Sequence, residues 1–227
     1  MAASPVRRAV ETGSLVYLRR PLEADRAEFV ELRARNRRHL ERWEPIPRGV
    51  DAFTPRELDR AFDRELKLRR TKSDERFLVC LIESGDIVGK ISISGIFRGP
   101  LQECRLGYWI GRKFAGRGCM TEAVALASRY AFESLGLHRV EANMQPHNHA
   151  SRAVVKKNGF QQEGYSPRYL CIRGRWVDHE RWAITLEAWQ KSQKEASATA
   201  PPPYVKHAIA SINEHPHAAA ISEPISI

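Results

Sequence analysis

ECRLGYWIGRKFAGRGCMTE, residues 103–122, is the stretch around which the rest of the chain orders itself. Glu103 to Ile110 predict a strand, because aromatic and branched residues suit a pleated, half-buried surface. Gly111-Arg112-Lys113-Phe114-Ala115-Gly116-Arg117-Gly118 then make a basic turn punctuated by glycines. Met120, Ala123, Val124, Ala127 and Ala131 recur at helical spacing, and Gly136 stops that helix. Strand, glycine-rich basic loop and helix, in that order, make an anion cradle. Glycines let backbone N–H groups approach closely, while the free N–H groups and dipole of a helix start favour negative charge. Arg112, Lys113 and Arg117 add formal positive charge, so a phosphate or pyrophosphate is expected here. The loop is neither a Walker A motif nor G-x-G-x-x-G. The remaining residues must specify the ligand.

The whole chain sets the outer limits. At 227 residues, one domain with trimmings is expected. With 42% hydrophobic and 28% charged residues, the composition is that of a soluble globule with a real core. No apolar run approaches membrane-spanning length, and MAASPVRRAV lacks the apolar core of a signal peptide, so a cytoplasmic protein without membrane contact is expected. Cys80, Cys104, Cys119 and Cys171 show no C-x-x-C pairing and read as buried free thiols in a reducing compartment. A net charge of +10 calls for acidic company: a polyphosphate cofactor, nucleic acid or an anionic surface. His147-x-His149 has no cysteine or carboxylate at ligand spacing, so no metal is expected. No Ser-His-Asp or Cys-His grouping has a recognisable local frame.

From the N-terminus, Leu15–Arg20 predict a strand closed by Pro21, and residues 24–38 an amphipathic helix with a strongly basic end. The loop His39-Leu40-Glu41-Arg42-Trp43-Glu44-Pro45-Ile46-Pro47 follows, its Trp either a cap on the core or a wall of a substrate pocket. Thr54-Pro55-Arg56-Glu57 is a capping box that opens a second helix, with Leu58, Ala61, Phe62 and Leu66 on one face. Phe77–Ile82 and Ile87–Ile93 form a hairpin across Ser84-Gly85-Asp86. After the 103–136 segment come a strand at 138–144, a short helix at 149–157 stopped by Asn158-Gly159, and a hairpin of 169–172 with 176–186. Beyond Trp189 the composition shifts to Ala, Ser, Pro and His, predicting an extension that buries little. The domain plan is thus an arm at 1–14, a folded unit at 15–189 and a mobile or docked tail at 190–227. The fold class is α+β with a mixed sheet. The strands before and after the 119–135 helix are joined by a crossover and are expected to be parallel.

With that order in place, the loop at 113–118, Asn148-His149-Ala150-Ser151 and Lys157-Asn158-Gly159-Phe160 together resemble the GNAT superfamily of N-acetyltransferases. RNRRHLERWEP at 35–45, LGYWIG at 106–111, HRVEANMQPHNHAS at 138–151, NGFQQEGY at 158–165 and GRWVDH at 174–179 resemble its RimJ/RimL-like branch, which acetylates the N-terminus of ribosomal proteins. The resemblance spans roughly residues 15–189. It implies a mostly antiparallel sheet flanked by helices, with a splayed pair of parallel strands that holds the cofactor, acetyl-CoA. The pyrophosphate would rest on the backbone of Lys113, Ala115, Gly116, Arg117 and Gly118, and of Cys119 and Met120 at the helix start. The backbone N–H at Ile110 would polarise the thioester carbonyl. Asn143 and Asn148 would meet the cofactor arm, and Ser151 would protonate or stabilise the departing thiolate. Two positions depart from the superfamily pattern. Val155 stands where many members have a tyrosine acid, and Arg105 where many have a glutamate base.

The general base is therefore open among Glu44, Glu103 and Asp178, with Glu44 placed first because an acid in the aromatic loop would attract an ammonium. An α-amine, with a pKa near 8, is neutral at pH 7 for up to about ten per cent of molecules, some hundredfold more than a lysine amine. An α-amine acceptor thus lessens the need for a strong base, and a water chain can serve. The leading function is acetyl transfer to a protein N-terminus, with a ribosomal protein as the expected acceptor. Two alternatives stand beside it: a small-amine acetyltransferase acting on a polyamine or aminoglycoside, and a non-catalytic module that binds acetyl-CoA or RNA. Arg33, Arg35, Arg37, Arg38 and Arg42 make the 26–42 segment either a solvated face or a contact for rRNA phosphates. Monomer and homodimer are both compatible with the chain.

Overall fold

The computed structural model describes residues 8–46 and 48–199, with side chains to residue 195. Eight strands form one sheet: β1 (Glu11–Thr12), β2 (Val16–Arg19), β3 (Asp74–Leu81), β4 (Ile87–Phe97), β5 (Glu103–Ile110), β6 (Arg139–Met144), β7 (Gln161–Ile172) and β8 (Arg175–Thr185). Six helices surround them: α1 (Arg26–Arg35), α2 (Arg37–Leu40), α3 (Pro55–Lys67), α4 (Cys119–Arg129), α5 (His149–Lys157) and α6 (Leu186–Thr199). The strand order is β1-β2-β3-β4-β5-β6-β8-β7, antiparallel throughout except for the parallel pair β5–β6. The α+β class and the parallel crossover through α4 follow the sequence reading.

Alternation along the strands builds a core on each face of the sheet. Val16 and Leu18 point with Phe77, Val79, Ile91 and Ile93 toward the apolar side of α4, where Ala123, Val124 and Ala127 are fully buried. The small alanines let that helix lie close to the strands. Tyr17, Leu78 and Cys80 point the other way, against Phe29 of α1 and Phe62 of α3. With apolar layers on both faces, the register of β2, β3 and β4 is strongly specified. Burial pushes the Cys80 thiol up to about 11 and the Cys104 thiol up to about 12, so both remain protonated core residues.

Local chemistry explains where elements begin and break. Thr54 caps α3 by accepting from the Glu57 N–H at 3.3 Å, with Pro55 at the first helical position. The helix expected over 24–38 is instead split at Asn36 into α1 and α2. The Asn36 side-chain amide donates to the Leu32 carbonyl at 2.8 Å while its oxygen accepts the Arg112 N–H at 2.8 Å. The break thereby ties the end of α1 to the segment that follows β5. The final hairpin is longer than read, because β7 starts at Gln161 and passes Gly164 and Pro167 with two register shifts. Bulges absorb residues that sequence patterning treats as strand breakers. Residues 190–199 continue α6, whose Trp189 ring lies 5.3 Å from Phe132, and β1 pairs with β2 ahead of residue 15. Residues 1–7 of the expected arm and 200–227 of the expected tail lie outside the described residues.

Glu122, in the first turn of α4, fastens the N-terminal segment to the sheet. Its carboxylate accepts from Ser14 N–H (2.7 Å), Ser14 Oγ (2.6 Å), Leu15 N–H (2.7 Å) and Val16 N–H (2.8 Å). Burial raises this carboxyl, but the hydrogen bonds from Ser14, Val16 and Leu15 outweigh it and hold the group below the ordinary glutamate value. Glu122→Gln, which turns an amide group toward three N–H donors, is expected to cost about 1–2 kcal/mol. The sign on pH follows from the depressed value: the contribution is full above the unfolded glutamate pKa and disappears as pH falls through the folded one. Thermal melts should therefore show the variant below the wild type at pH 7 and the gap closing in acid. A gap of constant size down to pH 3 would rule out the carboxylate as its source.

Candidate functional site

β5 and β6 pair only at their beginnings, Glu103↔Arg139, Cys104↔Val140 and Arg105↔Glu141. β5 stays paired to β4 as far as Gly89↔Ile110, whereas its other edge is unpaired from Leu106 onward. A wedge-shaped gap thus opens between β5 and β6 toward α4 and α5. Gly111 N–H donates toward β4, to the Val88 carbonyl at 2.8 Å. Successive N–H groups of an extended strand face opposite edges, so the Ile110 N–H faces the gap. An extended ligand arm can add to such an edge as a further strand.

At the mouth of the gap the chain turns through Arg112–Phe114 and enters α4 by Gly116 (φ +77°) and Gly118 (φ +86°), the residue before the helix. Positive φ at both positions requires glycine's freedom. No side chain caps the first turn of α4, and no hydrogen bond within the described residues takes the N–H of Gly116, Arg117 or Gly118. With Cys119 and Met120 buried at the helix start, these free amides and the helix dipole are arranged so that they could receive an anion. One expected contributor, Ala115, has its N–H engaged, and the Lys113 side chain turns to a neighbouring ring. The Ala115 N–H is used inside the turn, donating to the Arg112 carbonyl at 3.2 Å, and the Lys113 ammonium lies over the Phe114 ring at 5.6 Å. From Gly118 a groove of about 580 Å³ runs on between α4, α5 and α6, edged by Thr121, Lys156, Lys157, Trp189 and Ser192.

The far wall of the gap comes from β6 and α5. Asn148 caps α5, its oxygen accepting the Ser151 N–H at 3.2 Å, which leaves its amide N–H groups available. Asn143 on β6 donates to the Tyr169 hydroxyl at 3.3 Å, while its buried carbonyl oxygen has no partner. An unsatisfied buried acceptor is costly unless something else supplies a donor. Such an oxygen, together with an open strand edge and an uncapped helix start, fits a cofactor that carries amides along an arm and a pyrophosphate at its end.

Ser151, in the first turn of α5, bridges back across the gap: its Oγ lies 2.7 Å from the hydroxyl of Tyr108 on β5. Burial pushes the Tyr108 phenol up to about 12, against the opposing effect of the Ser151 hydrogen bond. The phenol therefore remains protonated and is a permanent partner for Ser151. Sequence reasoning passed over Tyr108 because a tyrosine in LGYWIG reads as ordinary strand packing. His39 was also missed. Its ring reaches the Ile110 backbone, and burial with Arg112 and Arg42 nearby holds its imidazole below the ordinary value despite that hydrogen bond. A neutral imidazole thus stands at the end of β5.

The acidic candidates are all engaged. Glu44 is not a free carboxylate: it pairs with Arg33 at 2.7 Å, and that arginine is only 7% exposed, among Phe53, Trp109 and Phe29. Glu103 is bound to Arg139 and Arg105 at the start of β5, about 23 Å by strand rise from Ile110. Asp178 accepts the Tyr165 hydroxyl at 2.5 Å and the Arg168 N–H at 2.8 Å, which hold its carboxyl below the ordinary value. Among the described residues no cluster of His, Cys, Asp or Glu could hold a metal ion, and no helix is long and apolar enough to cross a membrane.

Residues 16–161 match the family model of the acetyltransferase (GNAT) domain. The probable N-acetyltransferase YjcK of Bacillus subtilis is 38% identical over 174 residues, covering 76% of this chain and 94% of that protein. The ribosomal protein uS5-alanine N-acetyltransferase of Escherichia coli is 33% identical over 167 residues, 74% of this chain and 86% of its own length. Mycobacterium smegmatis RimJ, solved in complex with CoA-disulfide, has the same fold at a TM-score of 0.73 and 32% identity, over 81% of this chain and 93% of that one. The splayed strands, the uncapped helix start and these similarities place the chain in the GNAT family, as an acetyl-CoA-dependent N-acetyltransferase of the RimJ/RimL-like branch.

Proposed function

We propose that this enzyme acetylates the N-terminal α-amine of a protein, a ribosomal protein in the first instance, in the cytoplasm. Acetyl-CoA, when bound, supplies the thioester that the amine attacks. The Gly116–Met120 amides bind the pyrophosphate, and Lys156 and Lys157 edge the groove into which the rest of the nucleotide continues. Asn143 and Asn148 orient the arm, and the gap-facing Ile110 N–H donates to the oxygen on which negative charge develops. Ser151 holds the proton needed by the leaving thiolate. Tyr108 positions that hydroxyl across their 2.7 Å hydrogen bond; with the phenol as donor, the serine's own proton is free to point into the gap.

The Tyr108–Ser151 bridge across the open edge carries this reading, because it sets a protonated hydroxyl pair beside the strand end that polarises the carbonyl. With Glu44 tied to Arg33, proton removal from the amine falls to water or to the neutral His39. A weak acceptor of that kind suits an α-amine better than a lysine or polyamine nitrogen. The E. coli relative's uS5 acceptor and the basic charge of this chain both favour a ribosomal setting. The test is thiol release from acetyl-CoA with spermidine and with a peptide bearing a free N-terminal alanine. The peptide should be turned over with the higher kcat/KM by a wide margin. Faster turnover of spermidine would transfer the assignment to the small-amine reading.

A further inference from the structure

A net charge of +10 must reach the surface somewhere, and ion pairing shows where it is left uncompensated. In the segment at 26–42, Arg33, Arg35 and Arg37 hold Glu44, Glu31 and Glu41. The last turn of α3 and the turn that follows it differ. Residues 64–72, RELKLRRTK, carry five cations and a single carboxylate. That carboxylate, Glu65, is 8% exposed and takes Lys90 at 2.6 Å. Arg64, Lys67, Arg69, Arg70 and Lys72 all face solvent. The other acids of α3 and of the start of β3 have partners of their own. Glu57 has Arg60, Asp59 and Asp63 share Arg26, Asp74 has Arg76, and Glu75 has Arg20. Among the described residues Arg64, Lys67, Arg69 and Lys72 thus have no carboxylate at ion-pairing distance, and Arg70 reaches Glu75 only at 4.0 Å. The negative end of the α3 dipole calls for about half a charge, an order of magnitude less than this cluster supplies.

The cluster is held in one place. Thr71 N–H donates to the Asp74 carbonyl at 2.8 Å and Arg76 N–H to the Arg69 carbonyl at 3.3 Å, which fold the chain into a tight turn directly after the helix. The patch is charged without being apolar: α3 spends Phe62 on Phe29 and Leu78, and no large apolar side chain of residues 55–76 is exposed. An acidic protein partner would need an aromatic or aliphatic anchor, a membrane surface a free apolar face, and a single strand a ring on which to stack. The phosphates of a duplex need only cations, and the arginine fork suits them. We propose that residues 64–72 form a binding surface for the phosphate backbone of double-helical RNA. The choice of RNA rests on the ribosomal setting proposed above, whereas the choice of a duplex backbone rests on the patch alone. Asp74 pairs with Ser94, and Ser94 with Arg105, about 17 Å by strand rise from Ile110. The patch therefore lies at the end of the sheet away from the cofactor gap, which stays open while RNA is held.

The experiment is binding of a fluorescent RNA duplex of about sixteen base pairs, the span of a typical double-strand-binding domain, to the full chain across a salt series. The main variant combines Arg64→Gln, Lys67→Gln and Arg69→Gln, because glutamine removes the charge and is well accepted in helices. Wild type should bind with strong salt dependence. The triple variant should lose about tenfold or more in affinity, with a salt slope shallower by about 3. The control, Arg173→Asn with Arg175→Gln and Lys194→Gln, takes the same charge from exposed positions on the β7–β8 hairpin and α6 and should leave both quantities close to wild type. Asparagine is used at Arg173 because that residue has φ +51°. Saturating acetyl-CoA should not displace the RNA, and acetyl-CoA affinity unchanged in each variant confirms an intact fold. The proposal is overturned if the triple variant binds as wild type does or if the control loses as much. It is equally overturned if a single strand of the same sequence, polyglutamate or phosphatidylserine vesicles displace the labelled duplex as readily as unlabelled duplex RNA, or if duplex DNA does so more readily. Peptide acetylation is scored without RNA, so this proposal and the acceptor assignment fail separately.

Discussion

Ser151→Ala is expected to lower kcat by about 10²–10⁴-fold, the usual worth of a positioned acid, while leaving acetyl-CoA affinity unchanged. The serine has no other structural partner of weight: its N–H is held by Asn148, a bond alanine keeps, and its hydroxyl meets only Tyr108. Stability should therefore barely move, and the loss should appear in single-turnover rate as well as in steady state. Tyr108→Phe removes one hydroxyl from the same pair and should cost about three- to tenfold, the value of one neutral hydrogen bond. In a Ser151→Ala background the tyrosine change should then cost nothing more, because the two groups act as a unit. Independent, multiplying losses would mean that Tyr108 serves the reaction in some way other than through Ser151.

Gly118→Val should have a comparably large effect, on binding instead of turnover. Gly118 holds φ +86°, and a β-branched residue there is strained before any contact is considered. An added Cβ would also come within 3.3 Å of the Leu15 side chain. Relief of that strain turns the loop and misdirects the N–H groups at the start of α4. Loss of two hydrogen bonds to a charged group corresponds to about a hundredfold in acetyl-CoA affinity, read by calorimetry. Gly136→Val is the control. It has a similar φ of +61° and nothing within 4 Å of the added Cβ, but it lies at the other end of the α4 segment. It should lose stability and keep cofactor affinity. Equal loss of affinity in both would show that general destabilisation, not the amide array, is being measured.

The fold was legible in residues 103–136 because glycine placement, charge and helical periodicity agree there, and the crossover then fixes a parallel pair. The hairpin of β7 and β8 was half visible, since Gly164 and Pro167 hide a bulged strand that only its partner reveals. The break at Asn36 depends on Arg112, some seventy residues away, and no local pattern carries it. The site divides in the same way. Gly116, Gly118, Asn148 and Ser151 stand in motifs whose spacing is local. Tyr108 and His39 gain meaning only when β5, α5 and α2 come together, and Glu44 loses the role of free base only when Arg33 is seen to be buried beside it. Part of the charge on the basic helix is offset by carboxylates on α3 and on the 41–51 loop, pairing that a count of arginines does not show.

The account stands or falls on where the acetyl group is placed. Incubation with acetyl-CoA and two versions of one ribosomal-protein peptide, read by intact mass, measures this directly. One version has a free N-terminal alanine and an internal lysine, and the other has the same lysine behind a blocked N-terminus. The account predicts that the free peptide becomes heavier by a single acetyl group while the blocked one is unchanged. Acetylation of both to the same extent, or of the blocked peptide alone, would contradict it.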